Sequence, residues 1–270
     1  MSLSDLFDIS DLGLTEFFRF PKGLTGVLCI GHIILVLFPW TAGYVVLVPA
    51  KTIPFVWNII TAGYIEQSLA ELIGSILGLL VGAKLLEPMW TYKEFLKFVI
   101  FVNAFTLSGV YITAVASYFI TGKERFLFMQ LSGFHGVLAG FLVGVKQIMP
   151  DVAPFGLRSA WLPSLLVLLS IIASFTSLEA IGFLPFAIFG TYGGWLYLRY
   201  LQWNPETNLS GNPQDEFAFS TFFPHFFRPV IDAIASTLHS FLCGRTRPQR
   251  ENSHLSDSHS VLAYNTAEAS

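Results

Sequence analysis

Charge is scarce in this 270-residue chain: Asp, Glu, Lys and Arg make up 12% of it, against 53% hydrophobic residues. Soluble domains carry about 25% charged residues, so composition argues against a water-soluble globular fold. A net charge of -3 is too small to draw a nucleic-acid partner, and none is expected. Cysteine is nearly absent. Cys29 lies in an apolar run and Cys243 near the end, neither with a neighbour at metal-ligand or redox spacing, so no cysteine chemistry is expected. There is no glycine-rich phosphate loop and no cluster at metal-ligand spacing, and no cofactor or metal is expected. Histidine is missing between Asp151 and Pro224. A basic secretory start is also lacking: the first 23 residues hold Asp5, Asp8, Asp11 and Glu16, which predicts an uncleaved first span.

What the chain has instead is long apolar runs. A bilayer core takes about 20 apolar residues per helix, and six such segments can be drawn: 24–48, 54–83, 98–120, 127–149, 162–178 and 181–201. The last two are separated by almost nothing, so the fifth and sixth predict either a tight hairpin or one span that is partly inserted. The expected fold class is therefore all-α, a polytopic membrane helix bundle of about six transmembrane helices. With the N-terminus cytosolic, twelve of the fifteen Lys and Arg residues fall on the cytosolic side, leaving Lys51, Lys123 and Arg125 opposite. That asymmetry predicts both termini in the cytosol.

The composition changes after Trp203. Residues 204–216 are rich in Pro, Gly, Asn and acids and read as a loop. Residues 217–243 are apolar again, interrupted by Pro224 and Pro229. From Pro229 onward, Ile231, Ile234, Ala235, Leu238, Phe241 and Leu242 recur at helical spacing, which predicts an interfacial amphipathic helix on the membrane surface. The Ser-, Asn- and His-rich remainder is expected to be disordered. The domain plan is a cytosolic N-terminal segment over 1–23 and a transmembrane domain over 24–203. A cytosolic loop with the surface helix follows over 204–244, then a disordered tail over 245–270.

The most informative stretch is Gln130-Leu131-Ser132-Gly133-Phe134-His135-Gly136, expected inside span four. It resembles the Gly-x-Ser-Gly helix of rhomboid intramembrane proteases, in which the serine is the nucleophile. Trp57-Asn58-Ile59-Ile60-Thr61 resembles the Trp-Arg-x-x-Thr start of the second rhomboid core helix, and Gly182, Gly190 and Gly194 resemble its glycine-rich last one. Longer matches are Leu85-Leu86-Glu87-Pro88-Met89-Trp90, His135-Gly136, Lys146-Gln147, Trp195-Leu196-Tyr197-Leu198-Arg199 and Phe217-Ala218-Phe219-Ser220-Thr221-Phe222-Phe223-Pro224. Together these resemble the eukaryotic transmembrane protein 115 family, particularly its plant rhomboid-like branch, over roughly residues 24–245. The resemblance implies a rhomboid-like pseudoprotease of the Golgi membrane associated with retrograde transport to the endoplasmic reticulum. A scaffold that holds transmembrane client proteins and engages cytosolic tethering or coat machinery fits that role; a homo-oligomer is left open.

The residues speak to catalysis independently. A serine hydroxyl needs an adjacent base to become a nucleophile. Spans five and six contain no histidine, and His135, three residues after Ser132, is not oriented as a dyad partner. If the motif is aligned on Gly133-Phe134-His135-Gly136, the nucleophile position is His135 itself. The chain is therefore expected not to be an enzyme. An intramembrane serine protease and a small transporter or channel are the rival readings; the second rests on Glu66, Glu71 and His135.

Each candidate also has a purely structural expectation. His135 would hydrogen-bond a neighbouring helix, Ser132 would bond a carbonyl of its own helix, and Glu66 would be packed or protonated. Gly136, with Gly140 and Gly144, would line a close-packed stripe. Glu87 would pair with Lys84 where span two leaves the membrane, and Trp90 and Tyr92 would sit in the interfacial belt. In the surface segment, Phe222, Phe223, Ile234 and Leu238 are the candidate partner-docking residues.

Overall fold

The computed structural model describes residues 19–86, 90–148, 161–176, 182–204, 209–211 and 217. The chain divides into two compact units, Met1–His225 and Phe226–Ser270, and all described residues belong to the first. Glu87, Phe222, Phe223, Ile234 and Leu238, the surface helix and the tail lie outside the described residues.

An all-α polytopic bundle is what these apolar runs build. Its long helices are α1 (Arg19–Leu37), α4 (Leu69–Leu86), α5 (Tyr92–Thr121), α7 (His135–Ile148), α8 (Leu162–Thr176) and α9 (Phe183–Leu196), each within or overlapping one of the six expected segments. Short helices α2 (Ala42–Val45) and α3 (Asn58–Thr61) lie between α1 and α4, and α6 (Arg125–Phe128) precedes α7. Helices α4 and α5 are each long and apolar enough to cross a bilayer, and Pro21–Leu37 with Pro39–Val45 passes only as a pair bent by 111°. The outward faces are apolar, as lipid contact requires: Ile30, Ile33, Leu168, Ile172 and Phe175 are all exposed.

Span two begins later than expected. Residues 54–68 are not its first turns but part of an irregular segment with α2, α3 and three-residue 3-10 turns, and the helix proper opens at Leu69. Proline is the cause: Pro39, Pro49 and Pro54 break the backbone ladder repeatedly. Apolar backbone without a helix is tolerated in a membrane protein where its polar groups are paired inside the protein, and side chains here bond three of its carbonyls. Thr61 Oγ1 donates to Val45 O (2.9 Å), Trp57 Nε1 to Tyr44 O (3.1 Å) and Asn103 Nδ2 to Ile60 O (2.8 Å). The Trp57–Thr61 motif thus staples this irregular segment together rather than opening a span.

Span four is also shorter than expected. Helix α7 starts at His135, and Leu131 before it is extended. Leu131 forms a two-way backbone bridge to Leu47, with N···O distances of 2.9 and 3.1 Å. Fourteen helical residues rise about 21 Å, short of a hydrocarbon core of about 30 Å. Residues 131–134 before α7 are buried in the protein.

Helix α7 is the axis of the bundle, packed between α9 and α4, while α5 lies against α9 and α1 against α4. Its approach to α9 is backbone to backbone. A Cβ added at Gly190 would collide with the carbonyl oxygen of Gly136 and lie 2.7 Å from its Cα; one at Gly194 would lie 2.7 Å from Gly140 Cα. The close-packed glycine stripe expected of α7 is present, and Gly190 and Gly194 of α9 are what it meets. Beneath it Phe141 stacks on Phe98 (5.8 Å) and Phe95 (5.4 Å), and Trp90 meets Phe98 edge-on at 4.9 Å. Trp90 is 5% exposed, so it is a core residue and not part of an interfacial belt; its ring finds a better partner in Phe98 than at the membrane surface. Tyr92 does remain exposed.

Candidate functional site

The residues singled out in the sequence meet where the extended strand enters α7. Ser68 and Glu71 start α4 with a reciprocal cap: Ala70 N donates to Ser68 Oγ (3.3 Å) and Ser68 N to Glu71 Oε2 (3.2 Å). Such a box satisfies two otherwise orphaned helix amides, and it leaves Glu66 and Gln67 just outside the helix, facing the strand.

Glu66 is fully buried. Its Oε1 accepts from Ser75 Oγ at 2.6 Å and from the backbone N–H of Phe134 at 2.8 Å. Its own carbonyl lies 2.8 Å from His32 Nδ1 on α1. The other carboxylate oxygen, Oε2, has no hydrogen-bond partner among the described residues and lies 3.9 Å from His135 Nε2, which has none among them either. Glu66, Glu71 and His135 each bring one potential ligand atom within 4.8 Å of the others. Nothing in their spacing along the chain announced this; only the fold assembles it. His135 packs against a neighbouring helix as expected, but its Nε2 makes no hydrogen bond to one among the described residues. Its ring instead meets Phe183 (5.0 Å) and Phe186 (6.2 Å) of α9 edge-on.

Ser132 precedes α7 instead of sitting within it, so it has no helical carbonyl of its own to bond. Its Oγ accepts from Gln67 Nε2 at 2.9 Å, and the same amide reaches Gln130 O at 3.2 Å. Gly133 follows with φ +120, a conformation that favours glycine. A Cβ there would lie 2.8 Å from His135 Nε2 and 3.1 Å from Glu66 Oε2, so the missing side chain keeps the gap between those two atoms open. The backbone amides after Ser132 are both spoken for. Gly133 N–H goes to Ala62 O at 3.0 Å, and Phe134 N–H to Glu66. An oxyanion hole needs such donors unoccupied and aimed at the reacting carbonyl.

From His135 an apolar groove of about 270 Å³ runs between α4, α7 and α8, lined by Val81, Leu85, Leu138, Leu142 and Leu166 among others. At the far end of α5, Glu94 accepts from Lys97 Nζ (2.7 Å) and from the Tyr197 hydroxyl (2.8 Å). Trp195 Nε1 donates to Phe217 O (2.9 Å), holding the buried Phe217. The supporting residues Gln67, Ser75 and His32 were not foreseen. For Gln67 the Ser68-x-x-Glu71 cap was an available signal, since it puts residue 67 off the helix; for Ser75 and His32 there was none.

Comparison with known proteins fits this arrangement. A family model described as eukaryotic integral membrane protein (DUF1751) matches residues 22–269. The chain is 50% identical over 259 residues to Rhomboid-like protein 19 of Arabidopsis thaliana, covering 95% of this chain and 85% of that protein. It is 31% identical over 219 residues to Transmembrane protein 115 of Homo sapiens, covering 77% of this chain and 61% of that one. No solved structure matches.

Proposed function

The chain belongs to this family of eukaryotic integral membrane proteins, and from that premise we propose that it is a non-catalytic, rhomboid-like Golgi membrane protein. Its role is in retrograde transport from the Golgi to the endoplasmic reticulum, as a scaffold that holds transmembrane clients. Likeness to Rhomboid-like protein 19 and Transmembrane protein 115 supports the assignment to that branch.

The observation that carries the non-catalytic half is the state of the serine. Ser132 Oγ is held by a carboxamide, which cannot serve as a base near neutral pH. The two amides that follow it are occupied by Ala62 O and Glu66. Helix α9, which in a rhomboid protease would supply the histidine, offers Phe183 and Phe186 to His135. The serine hydroxyl and the two amides after it are thus engaged in structural contacts, which supports the non-catalytic reading.

The client half rests on the groove between α4, α7 and α8. Its apolar walls suit side chains of a transmembrane helix, for which lipid is the only competitor. Orientation with both termini cytosolic, from the Lys/Arg distribution, places Ser132 and His135 on the luminal half and leaves the C-terminal segment to meet cytosolic tethering or coat machinery. A photo-crosslinking residue at Val81 or Leu166, on the groove walls, should capture membrane-protein segments in intact cells. The same residue at Phe119, exposed on α5, should not. Equal capture at all three positions, or none at Val81 and Leu166, would remove the client-binding role.

A further inference from the structure

We infer that Glu66, Glu71 and His135 form a binding site for a transition-metal dication, with Zn²⁺ as the best fit. The inference stands apart from the trafficking role and holds or fails without it.

The starting point is a buried oxygen with nothing to bind. Taking a carboxylate out of water is costly unless its charge and lone pairs are met, and unsatisfied buried polar atoms are rare enough to need a cause. Glu66 is fully buried, yet only half of it is satisfied. Oε1 is fixed by two donors, Ser75 and the Phe134 amide, while Oε2 is left bare and aimed at the equally bare Nε2 of His135, 3.9 Å away. That separation is too long for a hydrogen bond between the two. It is close to what two ligands of one ion need. With metal–ligand distances of about 2.0–2.2 Å, tetrahedral neighbours stand about 3.4 Å apart, so a shift of about half an ångström seats both. Glu71 supplies the third atom, within 4.8 Å of the others.

Three further features agree. Oriented ligands are the mark of a metal site, and the bonds to Glu66 Oε1 hold its carboxylate as outer-shell partners hold a ligating one. Gly133 at φ +120 leaves open the space between the two bare atoms, which a Cβ would enter at 2.8 and 3.1 Å. Charge agrees as well: a dication would offset the two carboxylates that would ligate it, one of them fully buried. An imidazole among the ligands favours zinc-like ions over Mg²⁺ or Ca²⁺, and Zn²⁺ lies above Mn²⁺ in intrinsic affinity. Such an ion would tie the start of α4 to the start of α7.

The test uses the full chain, without a polyhistidine tag, purified in detergent, stripped with chelator and dialysed against buffered Zn²⁺. Elemental analysis should find one Zn²⁺ per chain, and the ion should raise the unfolding temperature of the stripped protein. Glu66→Gln is the decisive variant, because its amide oxygen can keep the Ser75 and Phe134 contacts while its NH2 replaces the ligating oxygen. It should lose the ion, as should His135→Ala. Ser75→Ala should weaken binding about 10–100-fold by freeing the carboxylate, and Ser132→Ala should bind as the wild type does. No stoichiometric Zn²⁺ on the wild type would overturn the inference and leave Glu66 and His135 as packed neighbours only. Binding undiminished in both Glu66→Gln and His135→Ala would equally overturn it, placing the ion on other histidines.

Discussion

Replacing Gly190 by alanine is expected to push α9 off α7. The added Cβ would meet only backbone: Gly136 Cα at 2.7 Å, its carbonyl carbon at 2.8 Å, and its carbonyl oxygen closer still. Carbon atoms rest at about 3.5–4.0 Å, so the two helices must separate by about 1 Å along their closest line, and no side chain can rotate to absorb it. Overpacking of this kind costs about 1–3 kcal/mol, and a backbone-on-backbone clash belongs at the upper end. Alanine's helix propensity returns about 1 kcal/mol. The net loss is about 2 kcal/mol, or roughly 30-fold in the folded-to-unfolded ratio. Gly74 of α4 is the control, since a Cβ there meets nothing within 4 Å, and Gly74→Ala should be neutral or slightly stabilising. Unfolding in mixed micelles by graded addition of sodium dodecyl sulfate, followed by tryptophan fluorescence, reads both. If Gly190→Ala unfolds at the same detergent fraction as Gly74→Ala, the close seam between α7 and α9 is not as described.

Two other predictions substitute residues outside the described ones, Asn208 in the first and Ile234 with Leu238 in the second. Asn208-Leu209-Ser210 is a glycosylation sequon that the Lys/Arg distribution places in the cytosol, so endoglycosidase treatment should not shift the protein on a gel; a shift abolished by Asn208→Gln would invert the proposed topology. The double variant Ile234→Asp, Leu238→Asp should insert normally but lose cytosolic partners in co-purification and slow the return of retrograde cargo; retained partners with full rescue would reduce this segment to a membrane anchor. A third lies within the bundle. Gln67→Leu should free the Ser132 hydroxyl without creating a base, and a serine-directed probe should still fail to label it; labelling would mean that the carboxamide is what restrains a latent nucleophile.

The six apolar runs were legible because bilayer thickness imposes their length, and each does contain a long helix. What lay inside the runs was not. Hydropathy cannot separate a helix that crosses from an apolar segment that doubles back, so residues 54–68 read as the start of a span although Pro39, Pro49 and Pro54 were visible. Trp90 next to Tyr92 looked like an interfacial pair, yet its ring belongs to the Phe95–Phe98–Phe141 cluster; aromatic residues at a span end carry either meaning. Gly136, Gly140 and Gly144 were legible as a close-packing stripe because their four-residue spacing puts them on one helix face. The meeting of Glu66 with His135 depends on a strand turning into α7 at Gly133, a long-range event with no local signature. Ser132 illustrates the same limit: its motif was plain and the cap at Ser68 could have put Gln67 off the helix, but that the two meet depends on a contact 65 residues apart in the chain.

Rescue of cells lacking this protein tests the central claim most directly. Ser132→Ala, expressed at the wild-type level, should restore the rate of Golgi-to-endoplasmic-reticulum cargo return fully, because the hydroxyl has no chemical task. A Ser132→Ala protein that inserts and folds normally but restores no transport would contradict the account and return the serine to catalysis.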